Sequence, residues 1–464
     1  MNRQKELLTN TIIIGIGNVF SKAISFLLVP FFTVWLTTEE YGDFDLLFSY
    51  ISLVVPFITM QLEQAVLRFT LEKKESAGEY FKSSFVLVLI NLFLAISFIC
   101  FVLRFQYQFS FTFCVISYSI YIFLSEYLRG LNELTKYSFV NILLGFLTII
   151  SSYFFTNVLK LAVDGLLIAF GFCYLLISIG IVVSQNLLSE FFTTPFNKIT
   201  TRQLLLYAIP LLPNAISWWI TSVSDRTLIR IFLGSDQNGI YAVSTKIPTL
   251  IAVFYSIFNL AWQQTAIISS KDQVDIRNKF YQSTYEKLFT FLFTSGIGII
   301  VITPLLYKFL LGEEYGNGIN LVPILILGTV FLNLSQYLGG ILIGKMNTKV
   351  NGVSTLIAAG INILLNLLFI NLFGLIAAAM STLICYIVLF ILRIVNLKEI
   401  FNLKKVITES TVGAIIFLFL SHVILSQDNI FVQITYVVIY LFFYIFINKK
   451  MIFGIVNLMK RKAK

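Results

Sequence analysis

The chain has 464 residues, of which 58% are hydrophobic and only 12% are Asp, Glu, Lys or Arg. A soluble globular domain carries roughly 25% charged residues, so a chain this long with half that share cannot cover itself in water. The formal charge of +10 does not point to nucleic acid, because the basic residues sit in short loops between apolar runs, where they set membrane orientation.

The first residues, 1–10, carry Arg3, Lys5 and Glu6 and lead into an apolar run. That run is longer than a cleaved signal core and no small-residue cleavage site follows it, so it is expected to be the first permanent span. About 20 apolar residues cross a hydrocarbon core of about 30 Å. By that measure fourteen spans are expected, at about 12–36, 44–66, 84–103, 109–128, 137–158, 163–184, 204–232, 240–262, 284–307, 319–343, 351–371, 374–396, 407–425 and 430–448. All should be helices, because lipid offers no partner to an unpaired backbone group. The ten-residue alternation of a membrane barrel does not occur.

Most Lys and Arg residues fall on one side of this layout. That side holds the N-terminus, the loop with Arg68, Lys73, Lys74 and Lys82, the pair Arg129 and Lys136, the linker with Arg393, Lys398, Lys404 and Lys405, and the basic tail. The opposite side holds acids such as Glu39, Glu40, Asp43, Asp236 and Glu313. Both termini are therefore expected in the cytoplasm.

The chain also compares with itself at a spacing of about 197 residues, rising to about 213 later. Segment 36–42, LTTEEYG, matches 233–239, LGSDQNG; Thr135-Lys136 matches Thr348-Lys349, and Cys173-Tyr174 matches Cys385-Tyr386. The expected fold is an all-α polytopic protein of two six-helix lobes in parallel repeat, plus two C-terminal helices. The boundaries are 1–200 for the N-terminal lobe, 201–400 for the C-terminal lobe and 401–464 for the last two helices and tail.

Polar side chains interrupt particular spans. In the first, Asn18, Ser21, Lys22 and Ser25 share one helix face, and in the seventh Asn214, Ser217, Trp218, Thr221 and Asp225 do the same. Such faces turn toward each other or toward water; small polar residues also serve as helix–helix glue. Lys22, Arg226, Arg230 and Lys246 lie within spans, where a charge costs at least about 2.5–3.5 kcal/mol. They suit a basic cavity for an anionic headgroup. Arg230 and Lys246 are equally placed to snorkel to the outer interface. Asp225 is read as the one mid-span acid apart from Glu63 near a span end. Glu63 and Arg68 close one span on the cytoplasmic side, and Glu126 and Arg129 close another. The Glu126–Arg129 pair, at i, i+3, suits a helix-end salt bridge; the alternative for these residues is a cytoplasmic gate or a headgroup entrance. Asn333, Gln336, Asn362 and Asn366 offer a path for sugar hydroxyls or hydrogen bonds between helices. Seven prolines, Pro30, Pro56, Pro210, Pro213, Pro248, Pro304 and Pro323, mark kinks. The cysteines Cys100, Cys114, Cys173 and Cys385 lie apart in apolar runs, and no metal, cofactor or catalytic set is assembled.

With these residues in view, the chain resembles the bacterial polysaccharide transporter family, the Wzx-type O-antigen and capsule repeat-unit flippases of the multidrug/oligosaccharidyl-lipid/polysaccharide (MOP) exporter superfamily. The segments that carry the resemblance are Ser21-Lys22 through FLLVP at 26–30, EEYG at 39–42, AVLRF at 65–69, IPLLPN at 209–214 and Ser224-Asp225-Arg226. GIYA at 239–242 and Asn362 to Asn366 with Phe373-Gly374 complete them. The resemblance implies two six-helix lobes around a cationic cavity. It implies a cargo of oligosaccharide on undecaprenyl diphosphate, moved across the bacterial inner membrane by alternating access, with the diphosphate received by Lys22, Arg226, Arg230 and Lys246 beside Asn18, Asn214 and Asp225. Partners would be membrane lipids, a polysaccharide polymerase and a chain-length regulator. A lipid II flippase and a drug or cation antiporter of the same superfamily are the alternatives. A membrane enzyme is disfavoured, because no large loop carries carboxylates or metal ligands.

Overall fold

The computed structural model describes residues 24, 26–102, 104–270, 272–345, 347–427 and 429–462, and no strand occurs among them. Eleven helices among the described residues are long and apolar enough to cross a membrane. The first expected span, 12–36, lies largely outside the described residues.

Helix α1 (Val29–Trp35), the first of those labelled among the described residues, holds Pro30 in its first turn, where its missing N–H costs nothing. Helix α2 (Thr38–Thr59) starts at a reciprocal cap: the Thr37 side chain accepts from the Glu40 amide, and the Glu40 carboxylate accepts from the Thr37 amide. Its end is set by Met60 and Gln61, both in the left-handed region (φ 51° and 58°). The second expected span, 44–66, therefore stops at Thr59, and a separate short helix, α3 (Leu62–Glu72), follows outside the candidate spans. Then come α4 (Ala77–Val102), α5 (Gln108–Gly130) and α6 (Leu134–Ser152), which runs on into a π-helical turn, Tyr153–Val158. Helices α7 (Ala162–Ser184), α8 (Leu187–Thr193) and α9 (Lys198–Ala208) complete the series.

The seventh and eighth expected spans are both interrupted, and proline is the reason. A 3₁₀ turn holding Pro210 separates α9 from α10 (Leu212–Phe232). Helix α11 (Ser235–Lys246) ends before Pro248, and α12 (Thr249–Ser269) begins after it. Neither proline can supply the amide that a continuous helix needs. Beyond them lie α13 (Val274–Leu310), α14 (Val322–Gly344), α15 (Thr348–Phe373), α16 (Leu375–Val395), α17 (Leu403–Leu425) and α18 (Ile430–Lys462). At 37 residues, α13 is about 55 Å long and outreaches a hydrocarbon core of about 30 Å.

The chain divides into two compact units, 1–239 and 240–464, so that α10 belongs to the first. In that unit, Phe81, Phe123, Leu124 and Tyr127 form a buried centre where α4 meets α5. The aromatic rings Tyr118, Tyr121 and Tyr174 stack between α5 and α7 at 4.8–5.1 Å.

In the second unit Trp262 lies on the Tyr337 ring at 4.2 Å and donates to the Tyr337 carbonyl. The Tyr337 hydroxyl donates to the Tyr281 carbonyl, and the Tyr281 hydroxyl to that of Ala266. Each polar tip is thus matched while its ring fills the core. Arg393, assigned from sequence to a cytoplasmic linker, is instead in the last turn of α16 and only 6% exposed. Its guanidinium donates to the Ser335 carbonyl at 2.7 Å, the Asn351 carbonyl at 3.3 Å, Thr355 Oγ1 at 3.0 Å and Ser354 Oγ at 3.2 Å. The outward surface is apolar, with Phe93, Phe101, Phe109, Phe431 and Phe442 strongly exposed, as lipid contact requires.

Candidate functional site

Helices α2 and α10 meet within the first unit, and local sequence sets what each presents. Asp43 and Asp45 lie beyond the first turn of α2; Arg230 is in the last turn of α10 and Arg226 one turn earlier. A guanidinium suits a helix end, where the backbone carries partial negative charge. Run against each other, the two helices match these charges. Arg226 Nε lies 2.5 Å from Asp45 Oδ2, and Arg230 Nε lies 3.1 Å from Asp43 Oδ1. The first pair is the more buried. The second is open to its surroundings on the arginine side, with Arg230 44% exposed.

Beside these pairs, the Ser235 hydroxyl also donates to Asp43, and Thr38 donates to Asp236. The Asn238 amide donates to the Gly42 carbonyl at 2.7 Å. The two segments that match in sequence, 36–42 and 233–239, are thus in direct contact. Their glycines make the contact possible: a Cβ on Gly42 would lie 2.0 Å from the Ser235 carbonyl oxygen, and one on Gly239 would lie 1.9 Å from that of Thr38.

Next to this crossing runs an apolar groove of about 890 Å³ between α2 and α4, lined by Leu47, Val54, Phe57, Leu94 and Phe98. Tyr50 lines it too, and its hydroxyl donates to Thr227 Oγ1 at 3.3 Å, one residue from Arg226.

The other expected cavity residues fall as follows. Lys22 and Asn18 lie outside the described residues, as does the side chain of Asn214. Asp225 is buried and partnered. Lys246 ends α11 in the second unit, half-buried and partnered. The partner that sequence reading missed is Asp45: Asp225 is not the sole acid within the spans, since Asp45 sits buried in α2. Its charge was visible in the sequence; only the antiparallel meeting of the helices makes it the partner of Arg226.

The four expected cytoplasmic residues separate. Arg68 is at the surface, 3.0 Å from Glu72 and 4.7 Å from the Tyr207 ring centroid. Glu63 instead faces α5. It is only 4% exposed, and burial raises its carboxyl to about 7, with a smaller upward push from Glu126 and an opposing hydrogen bond to Thr59. Arg129 NH1 donates to both oxygens of Glu126, at 2.8 and 2.6 Å, and its guanidinium lies 5.3 Å from the Tyr137 ring centroid.

The expected sugar path is packed among helices of the second unit. Asn333 is buried, Gln336 half-buried, and Asn362 and Asn366 wholly buried. Asn362 donates to Thr382 Oγ1 at 3.4 Å, and Asn366 to the Asn362 carbonyl at 3.0 Å. Among the described residues no group of His, Cys, Asp and Glu could hold a metal ion.

A family model described as polysaccharide biosynthesis protein matches residues 7–262. An uncharacterized membrane protein of Methanocaldococcus jannaschii is 23% identical over 419 residues, covering 85% of this chain and 99% of its own length. Among solved structures, the lipid II flippase MurJ in an inward closed conformation matches with a TM-score of 0.69 at 18% identity, over 95% of this chain and all of that one. An inward-facing multidrug resistance MATE family transporter of the MOP superfamily matches with a TM-score of 0.62 at 14% identity, over 84% of this chain and 95% of that one. The fold is of the MurJ and MATE type.

Proposed function

Because the chain belongs to the polysaccharide biosynthesis protein family, we propose that it is a flippase for an oligosaccharide carried on a polyprenyl diphosphate, moved across the cytoplasmic membrane by alternating access. The observation that carries this reading is the junction at Tyr50. An apolar groove ends beside a half-buried arginine, and Tyr50 lines the groove while its hydroxyl bonds Thr227, the residue next to that arginine. A lipid with an anionic headgroup has the same two parts in the same order.

The two arginine–aspartate pairs give the headgroup a way to bind. Arg226 and Arg230 are held by carboxylates in the present state, and a diphosphate offers the same guanidinium fork a pair of oxygen acceptors with more charge. Exchange of Asp45 for phosphate would free α2 from α10 while leaving the guanidinium matched. The guanidinium thereby keeps a partner, and Asp45 is relieved of its own burial as the parting helices admit water. The glycan would travel in a polar space built from scattered amide and hydroxyl groups.

The test is a host lacking its own flippase, complemented with Arg226→Gln, Asp45→Asn and the double variant, with surface glycan and inner-leaflet lipid-linked oligosaccharide measured. Each single variant strands one charge. The double variant removes both and should restore protein levels while surface glycan stays at least roughly tenfold down. Wild-type surface glycan in the well-expressed double variant would refute the role of Arg226. Complementation of lipid II export instead would redirect the cargo to the peptidoglycan precursor.

A further inference from the structure

The groups around Glu63 are not used by the proposed transport site, and they do not balance. Glu63 is in the first turn of α3, and its Oε2 has no partner among the described residues. The nearby Thr59 hydroxyl donates to the Val55 carbonyl at 3.1 Å. Buried, and with one oxygen unpartnered, the Glu63 carboxyl is held better with a proton than as a charge.

The surrounding charges agree. Helix α5 turns Tyr118, Tyr121, Glu126 and Arg129 into this region, and Tyr137 of α6 lies against Arg129. Helix α9 brings Tyr207, which is engaged by Arg68, and α4 brings Tyr80, which stacks on Phe69; both stand farther along α3. Counting Glu63 itself, the fixed charges here are thus two carboxylates and one guanidinium. Arg129 gives NH1 to Glu126 and leaves its buried Nε without a partner. One carboxylate too many in a buried place is relieved by one proton.

We propose that Glu63, Glu126 and Arg129 form a one-proton site, with the proton held on Glu63 while Arg129 serves Glu126. On release, the Glu63 O–H bond breaks and the proton passes to water beside Arg129, whose side chain is 28% exposed. The Glu63 carboxylate then takes the idle Nε edge of the guanidinium. No redox partner or further reactant is needed. The site rests on the geometry of the first unit alone, so it stands or falls independently of the cargo.

The experiment is an infrared pH titration of the full chain in nanodiscs, without substrate, following the C=O stretch of protonated carboxyl groups. Wild type should show one such band that disappears with a midpoint near about 7. Glu63→Gln should lack it. Glu126→Gln should keep it but titrate about one pH unit or more lower, since the repelling charge is gone and Arg129 is released. No titrating band in wild type between about pH 5 and 9, or an undiminished band in Glu63→Gln, would overturn the proposal. A midpoint that moves with sodium at constant ionic strength would also overturn it, by making the site one for a metal cation.

Discussion

Replacing Gly42 by alanine should unfasten α2 from the α10–α11 turn. The new methyl would sit 2.0 Å from the Ser235 carbonyl oxygen and 2.7 Å from the Gly239 nitrogen. Both are backbone atoms, so no side chain can swing aside. Ordinary contact begins at 3.4 Å, so the segments must part by about 1.4 Å. The Asn238–Gly42 hydrogen bond, now 2.7 Å, would then exceed the length at which such a bond survives. Overpacking costs about 1–3 kcal/mol, and the lost bond adds about 1 kcal/mol. The joined arrangement should therefore lose ground to a parted one by roughly 30- to 1,000-fold. Ser235, buried at the crossing, reports the change as Ser235→Cys with Cys100, the exposed native thiol, removed. Its labelling by a membrane-impermeant thiol reagent should accelerate in Gly42→Ala and in Gly239→Ala, but not in Gly360→Ala, where a Cβ meets open space. Unchanged labelling in both crossing variants, at normal protein levels, would refute the close-contact argument.

Stability should depend on pH through Glu63. Its carboxyl rises from an ordinary 4.5 to about 7 on folding, so the native state binds the extra proton. Its stabilisation is complete below 4.5 and is lost as pH climbs through 7, by about 3 kcal/mol in all; unfolding of Glu63→Gln across that range should lack this slope. Arg393→Met should cost about 3–5 kcal/mol by thermal unfolding in detergent, because the carbonyls of Ser335 and Asn351 and two hydroxyls lose their buried donor. A double-mutant cycle on Arg230 and Asp43 should return at most about 1 kcal/mol, given the exposure of the arginine. Asn197→Ala, which removes the side chain that caps α9 through the Ile199 and Thr200 amides, should destabilise by about 1 kcal/mol.

What the sequence disclosed follows from how local each signal is. Apolar length and the absence of alternation fix an all-helical membrane protein, and Pro210 and Pro248 mark real breaks because a missing amide acts where it stands. The likeness of segments 36–42 and 233–239 was legible in the sequence, though not that the two segments touch. The charges fared worse. Arg226 reads as a free cation because Asp45 is 181 positions away, and nothing in either helix announces the other. Arg393 reads as loop because basic residues cluster at span ends, while its burial depends on carbonyls from two other helices. Glu63 and Arg68 are expected together at the end of one span, yet the left-handed step at Met60 and Gln61 restarts the helix and turns the acid toward α5.

Arg393 also bears on where movement is possible in the second unit. One planar group tied to α14 and α15 from the end of α16 acts as a rivet, and three riveted rods cannot slide past one another singly. Compliance must come from joints that no such group spans, and the interruption at Ile247 and Pro248, where α11 hands over to α12, is one of them.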